Sequence, residues 1–222
     1  MDDHTELAKK FLSDVVMGWM LGDLENMVTK IKPVENGSGN CNFPIALYIF
    51  SCIEFLGFLS SDVIIPEASR NFTKARVWSY MNSFFNENYL SQIRPYEDNF
   101  VSIFRHGLAH EFFAKAAGVS RNTGTLITYD ERLKSLVLDA DEFYQAFKSS
   151  VENLKLVVSQ NQDKIADRML SRYNDLQASN LIRYLPKNIP TVTKTPTSTA
   201  SIAEPIDLKI TTTLPYDIED VA

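Results

Sequence analysis

The stretch FRHGLAHEFF, residues 104–113, places an arginine and two histidines among apolar side chains. A histidine can accept or donate a proton near neutral pH, and an arginine can bind a phosphate together with the negative charge that develops on it. Arg105, His106 and His110 could therefore cleave RNA without a metal ion. A histidine would take the proton of a ribose 2′-hydroxyl or give one to the leaving oxygen.

Two other interpretations of these residues stay open. His106 and His110 are four positions apart and could share a metal ion. However, HGLAH lacks the glutamate of the H-E-x-x-H pattern and no third ligand stands out, so we predict neither a metal nor a cofactor. Alternatively, the three side chains are structural, with Arg105 in a buried ion pair beside two hydrogen-bonded core histidines.

Helical geometry gives this motif two faces, since an α-helix turns by about 100° per residue. One face is a core-facing stripe that also contains Arg105, and its apolar members are Val101, Phe104, Leu108, Ala109, Phe112 and Ala116. His106 and His110 fall on a second face, one turn apart. We expect the first face to pack on its own domain and the second to pack on something else.

A buried guanidinium keeps its charge, so Arg105 requires a partner. Glu54 is the one charged residue in the run FPIALYIFSCIEFLGFLS, residues 43–60, and we expect it to pair with Arg105. The same run is at the short limit for a membrane span and carries this charge near its middle. It therefore predicts a buried core helix and no membrane association.

Hydrophobic periodicity, helix breakers and caps predict the elements that position these side chains. Four helices are expected, at residues 3–32, 44–60, 67–85 and 95–118. The fourth helix carries the motif and ends at Gly118, a residue typical of helix C-termini.

A change of period after the motif predicts a β-hairpin at residues 125–138, with strands 125–129 and 133–138. Asp139 or Asp141 would then cap one long helix that ends near residue 177.

The domain organisation follows from a change in composition. Residues 1–179 are predicted to form one helical domain, and residues 180–222, rich in Thr, Ser and Pro, a flexible tail.

Composition limits the classes of protein to which the chain can belong. The chain has 222 residues, of which 45% are hydrophobic, and a formal net charge of −6. An acidic chain of this kind is unsuited to coating duplex nucleic acid in general, although a local basic pocket is compatible with it. Cys41 and Cys52 do not form a C-x-x-C pair and are expected to be reduced, and the acidic start MDDHTELAKK has no apolar signal-peptide core. We therefore predict a cytoplasmic protein.

The hexapeptide RHGLAH resembles the signature of the HEPN superfamily, in which an arginine, a polar residue, a few further residues and a histidine stand late in a helical bundle. The order of elements is also similar, with a hydrophobic second helix that carries one acid before an aromatic third helix and the motif helix. The resemblance covers about residues 5–177, and FRHGLAHEFF looks like an uncharacterised bacterial branch with a hairpin after the motif helix. It implies an all-α, HEPN-like bundle with a small β-hairpin insertion.

The same resemblance implies a function. Many HEPN proteins are homodimeric, metal-independent ribonucleases of toxin–antitoxin or phage-defence systems, whose motif helices face each other and which cut single-stranded RNA or tRNA loops. Carried onto this chain, Arg105 and His110 are the core catalytic pair, His106 fills the polar position and Glu54 supports Arg105. An antitoxin or another protein partner is also implied.

Two features of the family qualify this expectation. Some HEPN proteins are non-catalytic, and the alternative function is therefore a dimeric interaction module that binds a protein or nucleotide partner. Some HEPN toxins carry a tyrosine two residues after the motif histidine that a partner nucleotidyltransferase modifies. Phe112 stands at that position, which argues against regulation by that route.

Further basic residues could contact RNA phosphates. Arg70, Lys74 and Arg76 lie on the predicted third helix, and Lys115 and Arg121 lie just beyond the motif. An ordinary solvated surface is the alternative for each of them.

Overall fold

Helices dominate the computed structural model, and a small sheet is inserted among them. The structure describes residues 3–33, 40–63, 71–111, 114–115, 117–160 and 162–184. The chain divides into two units, Met1–Tyr184 and Leu185–Ala222, and every described residue belongs to the first. The prediction of a mainly helical protein with a small β insertion is confirmed.

The α-helices follow in chain order as α1 (Asp3–Phe11), α2 (Gly22–Lys30), α3 (Asn42–Ser60), α4 (Phe72–Phe84), α5 (Glu87–Ile93), α6 (Glu97–Phe100), α7 (Ala140–Ser159) and α8 (Ile165–Tyr184). Two π-helical segments join this series. One, Leu12–Leu21, connects α1 to α2, and the other, Val101–Glu111, follows α6 and is called the motif segment below. Short 3-10 turns at Arg94–Tyr96 and Gln162–Lys164 complete the helical elements among the described residues.

Helix α3 is the central element of the core and packs against α4, α7 and α8. Its Phe50 ring lies 5.3 Å from the ring centroid of Phe100 and 4.9 Å from that of Phe143. By length and hydropathy α3 is the one described helix that could cross a membrane, but 56% of its most apolar window is buried inside the fold. That burial is typical of the core helix of a helical bundle, as the sequence predicts.

A close approach of α3 to α4 depends on Gly57. A Cβ atom at this position would overlap the backbone carbonyl oxygen of Arg76 and lie 3.3 Å from Cβ of Tyr80. Any side chain at residue 57 therefore forces the two helices apart, because neither contacting group is the flexible end of a side chain.

We expect Gly57→Ala to lower the free energy of unfolding by about 1–3 kcal/mol, because overpacking shifts α4 away from α3. Gly22→Ala is the matched control. Gly22 has helical dihedrals, φ −61° and ψ −44°, and its added Cβ would meet nothing closer than 3.9 Å, so this change should raise stability by about 0.5–1 kcal/mol. Urea unfolding measures both changes, and similar values for the two variants would contradict the proposed overlap.

The inserted sheet has three strands in the order β1-β3-β2: β1 (Ala117–Ser120), β2 (Ile127–Asp130) and β3 (Ser135–Asp139). The antiparallel pair of β2 and β3 confirms the predicted hairpin. Strand β1 was not predicted. It pairs in parallel with β3, so that Gly118 lies opposite Val137 inside a strand and is not a helix C-cap.

The fourth helix is therefore shorter than predicted, since helical backbone in the motif segment ends at Glu111. The amide of Lys115 donates to the carbonyl of Ile103 at 3.0 Å, which ties the start of the connection to β1 back onto the motif segment. The pairing of β1 with β3 then takes the backbone hydrogen bonds that a longer helix would have used.

The prediction of one last long helix is wrong, because the chain forms α7 and α8. Lys164, at the end of the intervening 3-10 turn, has φ 55°, in the left-handed region that an α-helix cannot contain. The predicted cap is confirmed at Asp139, whose carboxylate accepts from the amides of Asp141 at 2.8 Å and Glu142 at 2.9 Å.

Two further predicted boundaries differ from the structure or fall outside it. The described part of the third helix begins at Phe72, and residues 64–70 lie outside the described residues. Helix α8 continues to Tyr184, beyond residue 179, at which the predicted domain ends. The rest of the predicted tail, residues 185–222, also lies outside the described residues.

Candidate functional site

The predicted contact between Arg105 and Glu54 is confirmed. The Arg105 guanidinium donates from Nε at 3.0 Å and from Nη2 at 2.8 Å, and both bonds end on Oε2 of Glu54. Thr73 donates its hydroxyl to Oε1 of the same carboxylate at 2.9 Å. These three bonds fix the arginine of the motif segment between α3 and α4.

The pair is shielded but still accessible from solvent, since 20% of the Arg105 side chain and 14% of the Glu54 side chain are exposed. Each charge compensates the other, which removes the penalty of burying either one alone. Among the described residues, Nη1 of Arg105 has no hydrogen-bond acceptor. That nitrogen remains available to an anionic or carbonyl oxygen from outside.

The two motif histidines are neighbours, with ring centroids 6.0 Å apart and ring planes at 71°. His110 is exposed, and His106 is half-buried. The π-helical backbone has more residues per turn than an α-helix, so each residue rotates by less than the assumed angle. For this reason Gly107 is buried and Ala109, which the α-helical pattern placed in the core stripe, is exposed.

The remaining members of the predicted core stripe behave in two ways. Val101, Phe104 and Leu108 are buried, as predicted. Phe112 and Ala116 lie outside the described residues.

The position of His106 lowers its pKa below the ordinary 6.5. Partial burial is the main cause, and the positive charge of Arg105 and the neighbouring His110 act in the same direction, whereas Glu54 opposes them. A histidine with a lowered pKa is uncharged at neutral pH and can accept a proton.

We expect the NMR titration of the His106 imidazole to have its midpoint below pH 6.5. The folded protein then binds fewer protons than the unfolded chain, so this residue lowers the free energy of unfolding as the pH falls below about 6.5. The variant His106→Gln assigns the resonance and should lose that part of the pH dependence. A midpoint at or above 6.5 would contradict the described environment.

Among the basic residues predicted to contact RNA, Lys115 lies close enough to the motif for its charge to help lower the pKa of His106. Lys115 pairs with Glu111 at 3.0 Å on the exposed surface, one turn beyond His110 in sequence. Lys74 donates to the carbonyl oxygen of Asp98 at 3.2 Å and contacts its carboxylate at 3.5 Å. Arg70 lies outside the described residues.

Arg121 has a different role from the predicted one, because its side chain is only 3% exposed. Its Nε donates to the Asp141 carboxylate at 2.9 Å, Nη2 donates to the carbonyl of Val28 at 2.6 Å, and Nη1 donates to the carbonyls of Asn40, at 3.1 Å, and Ile31. All three nitrogens are thus engaged in holding α2, α7 and the segment before α3 together. A phosphate contact would break these bonds, so Arg121 is removed from the RNA-binding set.

Two residues near the ion pair make contacts that no sequence pattern predicts. Thr73 donates to Glu54, and Arg76 is buried with its guanidinium over the rings of Phe58 and Phe72. Both lie on α4, and only the packing of α4 on α3 brings them to the site. Arg76 is therefore buried, whereas a solvent-exposed helix face was the expected location for its side chain.

Within the part of the chain that the structure describes, no group of three or more His, Cys, Asp or Glu side chains is placed to hold a metal ion. His106 and His110 therefore lack a third ligand of these types among the described residues.

Comparison with known proteins identifies no relative of this chain. No protein-family model, no curated protein and no solved structure matches the chain.

Proposed function

We propose that this chain is a metal-independent endoribonuclease of the HEPN type that cuts single-stranded RNA or a tRNA loop. The observation that carries the proposal is the immobilised Arg105, which keeps Nη1 available on the same helical segment as a half-buried His106, whose pKa its charge helps to lower, and an exposed His110. A positioned cation and two imidazoles on one helical segment supply the groups that phosphodiester transfer requires.

In the proposed reaction a histidine removes the proton of a ribose 2′-hydroxyl. The 2′ oxygen forms a bond to phosphorus, the bond from phosphorus to the 5′ oxygen breaks, and that oxygen receives a proton. His110 is the residue that reaches the RNA, because it is exposed, and His106, uncharged at neutral pH, assists as a proton acceptor. Arg105 binds the phosphate and the charge of the transition state.

The proposal includes a homodimer through the motif segment, in which two sets of these residues line one cleft. It also includes a cytoplasmic toxin–antitoxin or phage-defence setting, with an antitoxin or another protein as a further partner. These elements rest on the resemblance of RHGLAH to HEPN proteins.

RNA cleavage in the presence of EDTA tests the proposal. Purified protein should cut total RNA or tRNA and leave 2′,3′-cyclic phosphate ends, because the 2′ oxygen is the nucleophile. A folded dimer that cuts neither substrate would overturn it.

The second candidate is a non-catalytic module that binds a protein or nucleotide partner. One observation favours it: Nε and Nη2 of Arg105 are already committed to Glu54, as in a structural ion pair. The double variant Glu54→Leu/Arg105→Met separates the two functions, since a well-packed apolar pair can replace a buried ion pair without loss of stability. The ribonuclease would lose cleavage in this variant, whereas the module would keep its fold and its partner.

The single variant Arg105→Ala should lower the free energy of unfolding by about 2–4 kcal/mol, because it leaves the Glu54 charge shielded and uncompensated. Partial exposure of both side chains keeps the effect below that of a fully buried pair. Urea unfolding measures it, with Lys115→Ala as the control for an exposed pair. Equal stability of the two variants would show that the Arg105 pair contributes little.

A further inference from the structure

The two motif histidines carry ring nitrogens that the described part of the fold does not use. Within the described residues neither His106 nor His110 makes a hydrogen bond through its imidazole, and the ring contact of each is with the other. Imidazole is the commonest metal ligand in proteins and binds through either ring nitrogen. Two unused imidazoles on one helical segment are therefore candidate ligands for a single ion.

The separation of the two rings suits one shared ion. A ligating nitrogen lies about 2.1 Å from Zn²⁺ and about 1.2 Å from its own ring centroid, so two rings at a tetrahedral angle have centroids about 5.3 Å apart. The centroids of His106 and His110 are 6.0 Å apart, with ring planes at 71°. A small rotation of the exposed His110 side chain closes a difference of less than about 1 Å.

The charges around the rings do not oppose a cation. Arg105 and Lys115 both act on His106 as positive charges. Each is compensated by a carboxylate, since Glu54 lies 2.8 Å from Arg105 and Glu111 lies 3.0 Å from Lys115. These four groups sum to zero charge, so a metal dication meets no net repulsion from them.

The type of ligand determines which ions can bind. Imidazole nitrogens favour Zn²⁺, Ni²⁺ and Cu²⁺, whereas Mg²⁺ prefers oxygen ligands. The two histidines would fill two positions around Zn²⁺ and water would fill the others, because the described residues place no third histidine, cysteine or carboxylate there. An ion held by only two side chains exchanges readily, unlike a resident cofactor in a closed site.

We infer that His106 and His110 together bind one Zn²⁺ ion, or a similar transition-metal dication, and that the bound ion inhibits RNA cleavage. A ligating ring nitrogen has no lone pair left to accept a proton, so the ion blocks the proton transfer assigned above to the two histidines. The metal site rests on the geometry of the two rings, whereas the inhibition rests on the proposed ribonuclease function.

Isothermal titration calorimetry with Zn²⁺ tests the site without RNA. The wild-type protein should bind one ion per chain. His106→Gln and His110→Ala should each weaken binding at least about 10-fold, since even loss of an outer-shell partner costs that much. His4→Ala, which removes the histidine paired with Asp167 on α8, should not. Unchanged affinity in either motif variant, or one ion per two chains, would overturn the assignment.

Two further measurements separate loss of the site from loss of the fold. Zn²⁺ should raise the melting temperature of the wild-type protein and leave that of His110→Ala unchanged, because only the first binds the ion. Electron paramagnetic resonance of protein with substoichiometric Cu²⁺ should show coupling to two imidazole nitrogens in the wild type and to one in His110→Ala. Coupling to a single imidazole in the wild type would contradict a shared ion.

The inhibition is measured in the RNA-cleavage assay. Saturating Zn²⁺ should lower the rate about 10²- to 10⁴-fold, the usual contribution of a positioned general acid or base, and EDTA should restore it. Mg²⁺ is the control ion and should leave the rate unchanged, because it prefers oxygen ligands. Cleavage that persists at saturating Zn²⁺, or that requires Zn²⁺, would overturn the inhibition.

The metal site and the ribonuclease function can fail separately. If Zn²⁺ binds through His106 and His110 but RNA is not cut in EDTA, the metal site is retained and the ribonuclease proposal fails. If RNA is cut in EDTA but Zn²⁺ binding does not depend on these histidines, the ribonuclease proposal is retained and the metal site is wrong.

Discussion

His110→Ala is expected to lower the rate of RNA cleavage by about 10²- to 10⁴-fold, the usual contribution of a positioned general acid or base. His110 is exposed, and its one described ring contact is with His106. Its removal should therefore leave the fold almost unchanged, since exposed substitutions typically alter stability by less than about 0.5 kcal/mol. Single-turnover cleavage of a labelled RNA in EDTA, beside a thermal melt, measures both quantities.

The chain provides a matched control for this experiment in His4, one of its three histidines. His4 lies on α1 and contacts Asp167 of α8 at 2.6 Å, and neither residue belongs to the motif segment. His4→Ala should cut RNA at the wild-type rate. If His110→Ala cuts RNA at the wild-type rate, His110 has no part in the proposed mechanism, and the non-catalytic interaction module becomes the favoured function.

Arg121→Ala is expected to lower the free energy of unfolding by about 3–5 kcal/mol. The substitution leaves the Asp141 carboxylate without its cation, and it leaves the carbonyl groups of Val28, Ile31 and Asn40 without a donor from this side chain. Buried polar groups that lose their partners forfeit their solvation without compensation. Several such groups depend on one guanidinium, so the effect should exceed that of the other single variants proposed above.

Urea unfolding of Arg121→Ala, Arg121→Lys and Lys115→Ala tests this role. Lysine retains the charge but cannot reach all four partners at once, so Arg121→Lys should recover only part of the lost stability. Lys115 is also basic and close in sequence, but it is exposed, and its removal should cost less than about 1 kcal/mol. A small effect of Arg121→Ala would contradict the buried network.

The contact between Arg105 and Glu54 could be predicted because buried charges must be paired. A lone acid in an apolar helix and an arginine in a core-facing stripe each need a partner, and each was the best candidate for the other. The helices at residues 3–32 and 44–60 were predictable for a similar reason, since the apolar pattern that buries one face of a helix is local. The hairpin was local as well, with β2 and β3 joined by a short turn.

The predictions of the fold that were wrong concern arrangements that depend on residues distant in the chain. Strand β1 forms because it can pair with the edge of β3, and no sequence pattern within residues 117–120 predicts that pairing. The break between α7 and α8 likewise departs from a sequence whose helical pattern continues through it. The π-helical motif segment also changes which residues are buried, because its rotation per residue differs from the one that the α-helical pattern assumes.

The residue types alone were enough to predict the chemical groups at the site and the need to pair the buried charges: an arginine, two histidines and one acid in apolar surroundings. Which of the basic residues are available to a ligand depends instead on how the chain packs. Arg121 and Lys115 both follow the motif closely in sequence. Arg121 is buried, and its guanidinium donates to carbonyl groups at three positions distant in the chain, whereas Lys115 stays on the surface. The reason is that a guanidinium is buried wherever enough acceptors converge on it, and that convergence is a property of the packed chain.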